Sequence, residues 1–245
     1  MPMHKIYIAK IEPLLEDSLY EKALSMIGAD RRESVIRMKN RPDQARSVAA
    51  GLLLNYAIVC NCGCPWDGSY LLGEHGKPML PKRYGLFFNL SHSGDYAVCA
   101  VADREIGVDI QKHKEYKENL AKRFFHPEEL AFLSTAADQK RCFYDLWSMK
   151  ESCVKYTGQG LSTGMDSFSV IPLIHGGNLN IAEQICVGEW NPSYQLLDLQ
   201  ACVDQLTDQT AQKRKREEDS QRNALRKDPI EGYSLTYFKE LTGRM

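Results

Sequence analysis

The segment Ile106-Gly107-Val108-Asp109-Ile110-Gln111 alternates like a half-buried strand, with Ile106, Val108 and Ile110 on one side and Gly107, Asp109 and Gln111 on the other. Further along, Trp147-Ser148-Met149-Lys150-Glu151-Ser152-Cys153-Val154-Lys155 reads as helix, and four-residue spacings place Trp147, Glu151 and Lys155 along one face. A fold that turns both polar faces together gathers two carboxylates, an amide oxygen and an ammonium, which is equipment for a hard divalent cation and a phosphate. The competing reading pairs Lys155 with Glu151 on a helix surface. Trp147 on the same face points the stripe inward and weighs against it.

A chain of 245 residues accommodates one large domain or two modest ones, and 43% apolar residues supply a core. The 31 basic and 32 acidic residues leave a formal charge of −1, so no global field favours nucleic acid or anionic lipid. Any anion site must be built locally. The N-terminus enters strand-like alternation at Lys5-Ile6-Tyr7-Ile8 without the long apolar stretch of a secretory signal. The most apolar run, Val48 to Cys60, is interrupted by Gly51, Asn55 and Tyr56 and is too short to span a bilayer. It reads as a buried helix in a cytoplasmic protein. Cysteines at 60, 62, 64, 99, 142, 153, 186 and 202 sit mostly among apolar neighbours and suit reduced core thiols. Cys60-Asn61-Cys62-Gly63-Cys64 lacks the two-residue gap of zinc knuckles, and a helix end with a turn at Gly63 and Pro65 explains it better.

The pattern predicts a strand over Lys5–Lys10, helices over Glu16–Ile27 and Asp43–Cys60, and strands near Tyr70–Leu72, Gly85–Leu90 and Tyr96–Val101. After the Asp109 strand it predicts helices over Leu120–Phe125, Pro127–Ala136 and Lys140–Thr157, then strand-like pieces at Ser167–Pro172 and Asn178–Ile181. Strands and helices without regular alternation favour α+β over a doubly wound sheet. A boundary near Asp103–Glu105 divides the chain into halves of 1–104 and 105–245 that show no sequence repeat. Gln205 to Asp228 is almost wholly polar, with Lys213-Arg214-Lys215-Arg216 followed at once by Glu217-Glu218-Asp219. It reads as a solvated helix or loop rather than a nucleic-acid site. Tyr233–Phe238 regains apolar character as a last strand.

Several segments could carry chemistry. Phe87-Phe88-Asn89-Leu90-Ser91-His92-Ser93-Gly94 leaves an apolar strand for a polar turn whose Ser91, His92 and backbone amides could cradle a phosphate. A turn with a backbone-satisfied histidine is the equal alternative. No nucleophile-elbow pattern supports a serine hydrolase. Gly76-Lys77-Pro78 could press an adenine between a lysine stem and a proline ring. Arg31, Arg32, Arg37, Lys39, Arg41 and Arg46 form a basic concentration that fits a solvated face or an anion site equally. Oxygen ligands from Asp109, Gln111 and Glu151 select magnesium or manganese over zinc.

In order, Gly76-Lys77-Pro78, Phe88-Asn89-Leu90-Ser91-His92-Ser93, Gly107-Val108-Asp109-Ile110, Lys122-Arg123-Phe124-Phe125, Leu146 to Ser152 with Lys155, and Gly158-Gln159-Gly160-Leu161-Ser162 closely resemble the 4′-phosphopantetheinyl transferases of the surfactin-synthetase-activating (Sfp) type. Asp166 to Val170 resembles the strand that follows in that family, and the likeness spans most of residues 1–170.

The resemblance implies two similar α/β halves related by a pseudo-twofold, with the active site in the cleft between them. It implies transfer of the phosphopantetheine arm of coenzyme A to a serine of an apo acyl or peptidyl carrier protein, releasing adenosine 3′,5′-bisphosphate. By position, Asp109 and Glu151 correspond to magnesium ligands, with manganese as the alternative ion, and Lys155 to a phosphate contact. Gly76, Lys77 and Pro78 match the adenine platform, Asn89, Ser91 and His92 the phosphate loop, and Arg31 and Arg46 basic positions near the 3′-phosphate. Glu151 and Lys155 are the expected catalytic pair, and Tyr116–Phe125 the expected carrier-docking region. A monomer is expected, with no nucleic-acid or membrane partner. Gln111 stands where the family often has a second acid, and Ser34 where a second lysine would assist the 3′-phosphate. The alternatives are a non-catalytic coenzyme A or nucleotide-binding module and a metal-dependent diphosphate hydrolase.

Overall fold

The apolar run around Val48 forms the middle of helix α3, Arg41–Cys62, in the computed structural model of the chain. The structure describes residues 4–73, 75–116, 118–160, 164–176, 179–181, 184–190, 192–208 and 225–240. Leu161 and Ser162 of the glycine-rich motif, and most of the polar stretch that begins at Gln205, lie outside the described residues. The Asn40 side chain accepts a hydrogen bond from Asp43 N at 2.9 Å to start α3, and Gly63 ends it in the left-handed region (φ 70°). α3 is long and apolar enough to cross a bilayer, but 72% of its apolar window is buried inside the protein. Apolar residues all round a helix mark a core element, and α3 is packed on several sides.

One side of α3 packs on the first sheet. Strand β1 (His4–Lys10) pairs antiparallel with β5 (Tyr96–Ala102), Ile8 facing Val98, and β5 pairs antiparallel with β4 (Phe87–Ser93). Helices α1 (Asp17–Ser25) and α2 (Ala29–Ile36) pack beside α3. The expected helix over 16–27 thus ends early, because Gly28 turns the chain against Gly68, whose carbonyl oxygen would lie 2.7 Å from a Cβ at Gly28. A short hairpin, β2 (Leu71–Leu72) and β3 (Pro78–Met79), turns through Gly76 at φ 78°.

The second sheet starts from β6 (Ile106–Lys112), the strand anticipated around Asp109. Helices α4 (Glu118–Phe124), α5 (Pro127–Thr135) and α6 (Gln139–Thr157) follow. Where a strand was expected over Ser167–Pro172, the chain makes a 3-10 turn at Met165–Ser167 and the short helix α7 (Ile171–Ile174). Pro172 lacks the N–H a ladder needs but suits a first helical turn, and Val170 N donates to Glu129 Oε1 at 2.8 Å instead of to a strand. The chain continues through β7 (Leu179–Ile181), β8 (Gln184–Trp190), β9 (Gln195–Leu197) and α8 (Leu199–Thr207) to β10 (Tyr233–Glu240). The second sheet has the order β6-β10-β8-β7, all antiparallel.

β9 leaves this order: it pairs parallel with β1, Ile8 facing Leu196, and extends the first sheet to β4-β5-β1-β9. α8 then buries Leu199, Cys202 and Val203 in the core around α3. Sequence periodicity gave no hint of this return, since a three-residue strand carries almost no pattern.

Three apolar clusters set the layers. The first lies between α3 and the first sheet; the second gathers Phe125, Phe143, Leu146 and Met149 under α6. The third joins Ile6, Ile8, Val98 and Ala100 of the first sheet to Val108, Ile110, Leu235 and Tyr237 of the second. Burial of such aliphatic faces holds the two sheets together with each long helix on an outer side.

Candidate active site at the seam of the two sheets

Gly107 explains how the strand and helix singled out in the sequence come together. A Cβ at this position would collide with Ser152 O and Tyr156 N, so only glycine lets the α6 backbone settle on β6. Asp109 lies two residues on, on the same face, and is 1% exposed. Its Oδ1 accepts from Lys155 Nζ at 2.6 Å and from Ser91 Oγ at 2.7 Å. Its Oδ2 accepts from Gln111 Nε2 at 3.0 Å. Lys155 therefore reaches across to the strand, and its Nζ also donates to Ser91 Oγ at 2.9 Å. Burial pushes the Glu151 carboxyl above the usual carboxylate range; the charge on Asp109 adds to the rise and Lys155 opposes it.

Two carboxylates close enough for one charge to disfavour the other suit a divalent cation, which relieves both. Among the described residues no three His, Cys, Asp or Glu side chains converge into a protein-only metal centre. Asp109 and Glu151, with the Gln111 amide, would form a partial set that phosphate oxygens and water complete, as magnesium prefers.

Strand alternation separates Ser91 from His92. Ser91 is buried against Asp109, whereas His92 shares the face of β4 that Phe88 and Leu90 pack toward α3, near Arg31 and Arg46. Desolvation, then the charges of Arg31, Arg46 and Lys155, hold the His92 imidazole below its ordinary range. Arg31 donates from Nη1 to Ser47 Oγ at 3.3 Å; its Nε is buried with no partner among the described residues, and its guanidinium lies against the buried Tyr70 hydroxyl, whose pKa it lowers against the rise from burial. Its stem needs Gly51, where a Cβ would lie 2.8 Å from Arg31 Cδ. Arg46 donates to Gly94 O at 3.0 Å and pairs with Asp43. Cations gathered about one imidazole, with a buried donor left over, are chemistry that can receive an anion. Of the other basic residues, Arg32 bonds carbonyls at the end of α1, Arg41 pairs with Asp17 over the Tyr20 ring, and Arg37 and Lys39 are exposed.

Lys77 occupies a position its motif did not announce. Its Nζ donates to Glu105 Oε2 at 2.6 Å and to Tyr156 O at 2.9 Å, tying the hairpin to the C-terminal end of α6 where cations are favoured. Its stem and Pro78 line a cavity of about 440 Å³ with Leu71, Met79, Phe87 and Phe88. Asn89 turns its amide oxygen to Val108 N at 3.0 Å.

Glu129 and Lys150 anchor α6 from below, both 0% exposed, at 2.7 Å. Glu129 also caps α5 by accepting from His126 N at 2.8 Å, and Lys150 Nζ donates to Phe168 O at 2.6 Å. Desolvation lowers the Lys150 pKa and Glu129 opposes the shift. Neither Glu105 nor Glu129 stood out in the sequence, although Glu129, three residues after His126 and just beyond Pro127, carries the signature of a helix start. In the expected docking region Tyr116 stacks on Phe143 and Phe125 is buried, leaving Glu118, Asn119, Leu120 (40% exposed), Lys122 and Arg123 at the surface, with Lys122 paired to Glu118 at 2.7 Å.

Residues 105–201 match the 4′-phosphopantetheinyl transferase superfamily, and residues 12–104 match the family described as 4′-phosphopantetheinyl transferase, N-terminal. Among curated proteins, the chain is 37% identical over 169 residues to a 4′-phosphopantetheinyl transferase of Bacillus subtilis, covering 68% of this chain and 75% of that one. It is 36% identical, with the same coverage, to 4′-phosphopantetheinyl transferase Sfp of Bacillus subtilis strain 168. It is also 34% identical over 151 residues to an L-aminoadipate-semialdehyde dehydrogenase-phosphopantetheinyl transferase of Xenopus laevis, covering 54% of this chain and 50% of that one.

Proposed function

This chain belongs to the 4′-phosphopantetheinyl transferase family, and from that premise we propose how its own residues carry out the reaction. The protein transfers the 4′-phosphopantetheine moiety of coenzyme A to a carrier-protein serine. The serine Oγ attacks the β-phosphorus, the bond from that phosphorus to the bridging oxygen breaks, and adenosine 3′,5′-bisphosphate leaves. The alternatives of a binding module or a diphosphate hydrolase find no support in the relatives.

The convergence of Asp109, Glu151 and Lys155 at the seam carries the residue assignment. Asp109 and Glu151, with Gln111 beside them, would hold a magnesium ion, which would supply positive charge against the diphosphate oxygens. Glu151, beside the seat of the diphosphate, takes the serine proton. Lys155, moving from Asp109 to the phosphate, stabilises the charge that builds on the leaving group. Arg31, Arg46 and His92 hold the 3′-phosphate, and the orphaned Nε of Arg31 supports that placement. Pro78 and the Lys77 stem, turned by Gly76, offer the adenine its flat seat.

Residues 1–104, completed by β9 and α8, and the rest of 105–245 act as pseudo-twofold halves with coenzyme A in the cleft between them, and the carrier docks over Leu120, Lys122 and Arg123 on a cytoplasmic monomer. The decisive experiment incubates the protein with coenzyme A, magnesium and an apo carrier and weighs the carrier. A gain of one phosphopantetheine mass supports transfer. Adenosine bisphosphate without a mass gain indicates hydrolysis, and neither product leaves binding alone.

A further inference from the structure

Two outer strands meet along the seam. β4 is the edge of the first sheet and β6 the edge of the second, so alternate backbone N–H groups of β6 face away from β10 with no strand among the described residues to receive them. Side chains receive them instead. Asn89 Oδ1 accepts from Val108 N at 3.0 Å, Ser91 Oγ from Ile110 N at 3.4 Å, and Ser93 Oγ from Lys112 N at 3.0 Å, each across 19 residues of sequence. Alternate residues of a strand share a side, so Asn89, Ser91 and Ser93 together replace a missing strand edge.

The row is closed at its far end. Gly94, at φ 55°, leaves no room for a Cβ beside Lys112 and the Tyr233 hydroxyl, and Asp95 Oδ2 accepts from Lys112 Nζ at 2.7 Å and from Tyr233 Oη at 2.8 Å. Asp109 sits between the two amides that Asn89 and Ser91 hold. On its opposite edge β6 is paired to β10 along all of Ile106–Lys112, so losing one rung on the β4 side shifts the strand without unfolding it.

Resting on the transferase reading above, we infer that Asn89, which the family likeness assigns to the phosphate loop but whose amide is turned to Val108 N, and Ser93 are positioning residues: they fix β6 against β4 and so set Asp109 for metal binding, without touching coenzyme A. The phosphate-loop motif thus serves the seam on one side and the anion on the other, where His92 lies.

The test uses Asn89→Ala, Ser93→Ala and Ser93→Thr in the full chain. Coenzyme A affinity is measured calorimetrically in EDTA, and Mn²⁺ affinity by electron paramagnetic resonance at saturating coenzyme A, with melting curves to confirm folding. Losing a hydrogen bond to a buried amide should weaken Mn²⁺ binding about threefold to tenfold in the alanine variants. Coenzyme A affinity stays at the wild-type value, and Ser93→Thr, which keeps the hydroxyl, restores Mn²⁺ affinity. Weakened coenzyme A binding with Mn²⁺ affinity intact would overturn the inference, as would unchanged Mn²⁺ affinity in the folded alanine variants. If alanine at either position prevents folding, Ser93→Thr decides: retained Mn²⁺ affinity supports the inference and lost affinity overturns it. Wild-type protein that fails to bind Mn²⁺ beside coenzyme A is a separate result, and it sinks the metal reading itself.

Discussion

Gly107 on β6 lies directly against the Ser152 carbonyl oxygen of α6, with no space between them for a Cβ. That single approach brings Glu151 and Lys155 within reach of Asp109. Gly107→Ala must push the helix off the strand, at a cost of about 1–3 kcal/mol for overpacking, so the melting midpoint should fall. Transfer activity should fall further than stability explains, because the acidic pair separates; an Ala variant with wild-type kcat would contradict this geometry.

Glu151→Gln should abolish transfer at any magnesium concentration, read by mass gain of the carrier. The same change should stabilise the metal-free protein at neutral pH. A carboxyl whose folded pKa is raised carries no penalty below its unfolded value and the full penalty above its folded value, so wild type gains stability as pH drops through that window. Melting curves should show the two proteins converging on acidification.

Gln111→Glu replaces an amide that donates to Asp109 with a third carboxylate. Without metal the variant should melt lower than wild type, because like charges then crowd one site. The magnesium concentration for half-maximal activity should drop. A titration that shows no tightening would place residue 111 outside the coordination shell.

His92 is held below its ordinary pKa by desolvation and three neighbouring cations, so it is short of a proton near neutral pH. A 3′-phosphate placed among Arg31, Arg46 and His92 raises that pKa, so binding takes up a proton and tightens as pH falls between the free and bound values. Calorimetry in buffers of different ionisation enthalpy measures the uptake. It should vanish in His92→Ala and with dephospho-coenzyme A.

Lys150→Met leaves the Glu129 carboxylate buried without its cation and should cost about 3–5 kcal/mol. Denaturant titration checks this. Pairing the change with Glu129→Gln should recover part of the loss.

The strand and helix that carry the acidic pair were legible because each has a strong period: alternation through Gln111 and four-residue spacing through Lys155. Of the ends of α3 and α6, the turn at Gly63 was legible, whereas the caps at Asn40 and Asp138 and the left-handed Gly158 emerge only from the structure. What escaped was tertiary. The serines of the phosphate-loop motif looked like anion ligands because nothing in a sequence says that an unpaired strand edge runs alongside them. Lys77 looked like a loop lysine until Glu105 and Tyr156 arrived from distant segments. The expected strand after Met165 failed because a proline and a buried glutamate outweighed local β propensity.

Strand β9 and helix α8 return from the end of the second sheet to finish the first. The front of the protein therefore depends on the rear for its completion, although the two family matches abut at residues 104 and 105. A fragment cut at that junction would display the bare flank of β1, an invitation to self-association.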